Sequence, residues 1–87
     1  MGCTRDEFLA WLPGAVRGAR YEVDGDLIRI GYAGGEVRIR IARADERRLG
    51  LLSLPVLQVW IRFAGIDAPR RDEFLHHFDL FMRRGGG

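Results

Sequence analysis

Lysine is missing from this sequence: all 14 basic residues are arginine. Each therefore offers a planar, permanently charged fork suited to carboxylates, phosphates and aromatic faces. Cysteine is nearly missing too. Cys3 stands alone, so no intrachain disulfide can form and stability has to come from packing, as in a reducing compartment. No apolar run approaches the ~20 residues of a membrane helix. The opening segment has no apolar stretch of the secretory kind, and Asp6 stands where myristoylation wants Ser or Thr. A cytoplasmic protein is expected, with no membrane contact.

Side chains for chemistry are equally scarce. Thr4, Ser53 and the tyrosines supply the hydroxyls, and Cys3 lies in a terminal segment expected to be mobile. There is no Ser/His/Asp pattern, no GxSxG elbow and no glycine-rich phosphate loop. The two histidines, His76 and His77, are adjacent; on a helix they point about 100° apart and do not face one metal. Glu73 with His77, or His76 with Asp79, supplies at most two ligands, and no Cys/His cluster exists to complete a site. Asp24 and Asp26 flank a glycine, where turn chemistry accounts for them. The expectation is no enzyme, no metal and no cofactor.

What is present suits one small folded domain, residues 1–87. The hydrophobic fraction of 47% and charged fraction of 30% are those of a globular chain. At 87 residues the chain buries only ~60–65% of the surface its unfolded form exposes, so most large apolar residues are needed for the core.

Thr4-Arg5-Asp6-Glu7 has capping-box spacing, and Phe8, Leu9 and Leu12 follow on one side with Trp11 at its edge. The pattern predicts a helix over 4–12, stopped by Pro13-Gly14. Three alternating runs come next. Tyr21 and Val23 precede a turn at Asp24-Gly25. Ile28, Ile30 and Tyr32 share one face of the second run, which ends at Gly34-Gly35. Val37, Ile39 and Ile41 share one face of the third, with Arg38 and Arg40 on the other. Residues 44–55 admit a helical turn or a loop before a short strand at Leu49–Leu52. A further strand runs from Val56 to Phe63, with Leu57, Val59, Ile61 and Phe63 opposite Gln58, Trp60 and Arg62. The last helix is capped at Asp67 or Ala68, with Pro69 in its first turn. Phe74, Leu75, Phe78, Phe81 and Met82 form its apolar stripe and Leu80 lies off it.

This order predicts an α+β fold: a two-layer sandwich in which an antiparallel meander of four to five strands carries an N-terminal and a C-terminal helix on one face. Phe8, Leu12, Ile28, Ile30, Ile39, Ile41, Val59, Ile61, Phe74, Phe78 and Phe81 should form its core. The ending from Phe78-Asp79 to Arg84-Gly85-Gly86-Gly87 resembles small bacterial proteins that end in FDxxxxRGGG. That resemblance covers the C-terminal half and implies no activity. Residues 84–87 are expected to be a flexible tail. A terminal Gly-Gly also characterises sulfur carriers and ubiquitin-like modifiers, but theirs follows a strand, whereas this one follows a helix.

If both helices cover one face of the sheet, the other face is left to solvent or a partner. Alternation places Arg29, Arg38, Arg40, Gln58, Trp60 and Arg62 there. Arginines around an exposed tryptophan form a composition common at protein hot spots. They also suit phosphates and stacked bases, although no RNA-recognition signature is present and Glu22 and Glu36 dilute the field. A net charge of +2 is small for a dedicated non-specific nucleic-acid binder. The expected function is a non-catalytic binding or adaptor module using this face for protein contact or homodimerisation. Single-stranded nucleic acid is the alternative ligand, and a carboxyl-terminal carrier ranks third.

Overall fold

The computed structural model describes residues 2–43, 47–49, 52–54 and 56–84. It contains helix α1 (Arg5–Ala15), strands β1 (Tyr21–Asp24), β2 (Leu27–Tyr32), β3 (Gly35–Arg43), β4 (Arg47–Leu49), β5 (Leu52–Leu54) and β6 (Leu57–Ala64), and helix α2 (Ala68–Arg83). The main sheet has four antiparallel strands in the order β1-β2-β3-β6, with a helix at each end of the chain. The fold is α+β.

Between β3 and β6 the chain forms a separate two-stranded antiparallel pair, β4 with β5, in which Arg48 lies opposite Ser53. The ambiguous segment 44–55 therefore holds two short strands, where a single one at Leu49–Leu52 was the nearest expectation. Gly50, Leu51 and Pro55 lie outside the described residues, as do Gly85, Gly86 and Gly87 of the expected tail. Arg84 is the C-cap of α2, its amide donating to the Leu80 carbonyl at 3.3 Å.

Helix α1 begins as its sequence dictates. The Glu7 amide donates to Thr4 Oγ1 at 3.1 Å, and the Thr4 amide donates to Glu7 Oε1 at 3.0 Å, completing the capping box. It does not stop at Pro13. In the final turn a proline forfeits little more than the amide bond to the Leu9 carbonyl. The Val16 amide still reaches the Leu12 carbonyl and the Gly18 amide the Pro13 carbonyl, both at 3.0 Å. The helix therefore runs three residues further than expected. Its exit uses left-handed backbone at Arg17 (φ 53°) and Gly18 (φ 74°). The start of α1 is also tied to the β1–β2 turn, where Arg5 Nη2 donates to the Gly25 carbonyl at 2.7 Å and Nε to Asp26 Oδ1 at 3.2 Å.

The strand registers carry out the alternation read from the sequence. Ile28 faces Ile39, Ile30 faces Val37, and Val37, Ile39 and Ile41 face Phe63, Ile61 and Val59. All of these point to the helices. Phe74 of α2 packs edge-on against Tyr32 and Phe63, with centroids at 5.3 and 5.9 Å. Phe78 meets Phe8 of α1 at 6.0 Å. Gly35 lets β3 approach the β6 exit, because a Cβ there would collide with the Ala64 and Gly65 carbonyls.

Phe8, Leu12, Ile28, Ile30, Ile39, Ile41, Phe74 and Phe78 are buried, as predicted; Val59, Ile61 and Phe81 are only half-buried. Ala15, Val16, Val37, Leu57, Ile66 and Met82 join the core, and so does Cys3, just 3% exposed. The expectation of a mobile Cys3 is corrected: the capping box holds the backbone beside it, and the thiol packs as a small hydrophobe. Leu75, assigned to the apolar stripe of α2, is 38% exposed and Leu80 is 40% exposed. No polar or charged side chain among the described residues is buried.

Candidate binding face

Three neighbouring strands present the six expected residues on one surface. The register aligns Arg29 of β2 with Arg38 of β3, and Arg38 with Arg62 of β6, as one cross-strand row. The next row runs Leu27–Arg40–Trp60, and Gln58 lies opposite Ala42 in the row after that. All six are exposed.

Like charges directly opposite one another destabilise a sheet, so the arginine row needs compensation. Glu36, on the same face of β3, provides part of it. Its Oε2 accepts from Arg38 Nε at 3.1 Å and its Oε1 lies 3.9 Å from Arg29 Nε. One carboxylate thus sits between two guanidinium groups from adjacent strands. Both arginine side chains nevertheless keep more than half their surface in water. The pairs contribute little to stability, and the forks remain open to a further anion. In the next row the Arg40 guanidinium carbon lies 5.6 Å from the centre of the Trp60 ring, within cation–π range. Trp60 keeps 47% of its surface exposed even so.

Beyond this face, an open groove of about 730 Å³ lies between β6 and α2. Val59, Ile61, Leu75 and Phe78 line its apolar floor, with Trp60, His76 and Asp79 at its margin. Sequence reasoning missed it. Leu75 was the available signal, and its place on the apolar stripe read as core. The groove explains why Leu75 is exposed and why Val59 and Ile61 are half-buried.

The histidines divide as their spacing requires. His77 Nε2 lies 3.1 Å from the Gly14 carbonyl, tying α2 to the end of α1, while His76 is exposed beside the groove. Among the described residues no three His, Cys, Asp or Glu side chains gather as a metal-binding group, and no helix is long and apolar enough to cross a membrane.

Comparison with known proteins adds no relative: no family model, curated protein or solved structure matches the chain.

Proposed function

We propose that this chain is a small, non-catalytic, cytoplasmic binding module that engages an acidic segment of a partner protein through its open sheet face. The observation that carries the reading is the Arg29–Arg38–Arg62 row beside the Arg40–Trp60 pair. It puts four guanidinium groups and a half-exposed indole on one surface. The seating of Glu36 between Arg29 and Arg38 is a working example, within the chain, of a carboxylate held by this row. Planar forks take carboxylates with defined geometry, and an exposed tryptophan adds apolar contact area. The acidic groups on the same face and the net charge of +2 weigh against a dedicated nucleic-acid surface.

The test uses the chain's own fluorescence. Trp11 and Trp60 are its tryptophans, so a Trp11→Phe background makes emission report on Trp60 alone. An acidic peptide and a mixed-sequence single-stranded RNA are titrated separately at two salt concentrations. The peptide should alter the Trp60 signal, and an Arg38→Ala/Arg62→Ala variant should lose that response; the RNA should bind weakly. Tight RNA binding that falls steeply with salt and disappears in Trp60→Ala would replace this reading with nucleic-acid recognition.

A further inference from the structure

The two edges of the sheet are built differently. β1 is four residues long and carries Glu22 and Asp24, so it is short and charged, as solvent-facing edges usually are. β6 is eight residues long, Leu-Gln-Val-Trp-Ile-Arg-Phe-Ala, with Arg62 its sole charge, no proline and no inward-pointing polar residue. Among the described residues no strand pairs with the outer edge of its residues 58–64. The core beneath it is also incompletely covered. Ile39 and Ile41 of β3 are buried, whereas their partners Ile61 and Val59 on β6 are half-buried and the groove opens beside them. An edge of this kind invites another strand.

We infer that β6 is the homodimer interface: two copies pair their β6 strands antiparallel about a two-fold axis at Ile61, making one continuous eight-stranded sheet. The argument for a second copy is the self-complementarity of the strand. Pairing two identical strands antiparallel keeps each side chain on its own face only in registers centred on a residue. A centre at Arg62 sets two arginines opposite each other, which is repulsive. A centre at Trp60 pairs as many residues, but it sets Trp60 against its own copy and Arg62 against Gln58, so no guanidinium meets an indole across the interface. A centre at Ile61 pairs all of residues 58–64. It sets Val59 against Phe63 and Ile61 against its own copy on the inner face, where they close the groove. On the outer face it sets Arg62 against Trp60 twice. That pair repeats across the interface what Arg40 and Trp60 already form between β3 and β6 at 5.6 Å. Each indole is then bracketed by Arg40 of its own chain and Arg62 of the other. The association also extends the core of a chain too short to build a large one. It does not depend on what the open face binds; it joins the arginine rows of two copies into one surface.

Sedimentation of the full chain at micromolar concentration, with circular dichroism as the check on folding, provides the test. The wild type should be a dimer. Trp60→Lys should be a folded monomer, since it places a lysine against Arg62 of the other copy, and Arg29→Glu, on the same face but away from the edge, should remain dimeric. In a Cys3→Ala background the double variant Gln58→Cys/Ala64→Cys should oxidise to a closed covalent dimer, because those positions lie opposite each other only in the Ile61-centred register. A monomeric wild type, a dimer that survives Trp60→Lys, or a dimer lost in Arg29→Glu would overturn the inference. If Trp60→Lys fails to fold, the cross-link decides, and its absence in a dimeric double variant would refute the register.

Discussion

Phe78 shows how much of this molecule rests on single side chains. It is 1% exposed and stacks on Phe74 at 5.6 Å while meeting Phe8 edge-on. Truncation removes contacts to both helices at once, so Phe78→Ala should cost about 3–5 kcal/mol in chemical denaturation. Ala33 is the opposite case. It occupies the β2–β3 turn with φ 51°, beside Gly34 at φ 77°. Both central positions are left-handed, the signature of a type I′ hairpin turn that favours Asn-Gly. Ala33→Asn should therefore stabilise by ~1 kcal/mol, read as a higher denaturant midpoint with an unchanged slope.

At the scale of elements, the junction between the helices is a close contact. Gly14 sits in the last turn of α1, where a Cβ would run into the Phe81 ring of α2, and His77 reaches the Gly14 carbonyl from the same helix. Gly14→Ala leaves helix propensity improved but forces Phe81 off its seat. The overpacking should outweigh the gain and destabilise by ~1–3 kcal/mol. Pairing it with Phe81→Leu, which shortens the obstructing ring, should recover part of the loss. An additive double variant would show that the two residues do not meet.

For the whole molecule, Cys3 makes folding readable. Burial pushes its thiol above the ordinary range, and the Glu7 carboxylate adds to the shift. The unfolded thiol then ionises first as pH rises. The contribution is complete below the ordinary thiol pKa and is lost as pH climbs toward and through the raised folded value. The stability difference between wild type and Cys3→Ala should accordingly shrink or turn against the wild type under alkaline conditions while staying constant near neutrality. A thiol reagent should label Cys3 slowly in the native chain and at once in denaturant. Fast native labelling would show that the N-terminal segment is not packed on the core.

The four strands of the main sheet, their faces and the starts of both helices were legible from the chain itself, because alternation and capping are local properties; the short β4–β5 pair was not. A period-two run such as Val37 to Ile41 commits its side chains to two faces wherever the strand lies, and Thr4 with Glu7 starts a helix without help from distant residues. For the same reason Arg29, Arg38, Arg40, Gln58, Trp60 and Arg62 could be assigned to one surface before any packing was known. Which of them align was not local: the Arg29–Arg38–Arg62 row depends on the registers of three strands. Pro13 looked like a stop because proline's local penalty is visible while the remaining turn bonds and the contact with Phe81 are not. Cys3 read as loose and Leu75 as core for a related reason. Burial is decided by where α1 and α2 lie across the sheet, and α2 leans toward α1, leaving the β6 side of the core half-covered and Leu75 beside an open groove.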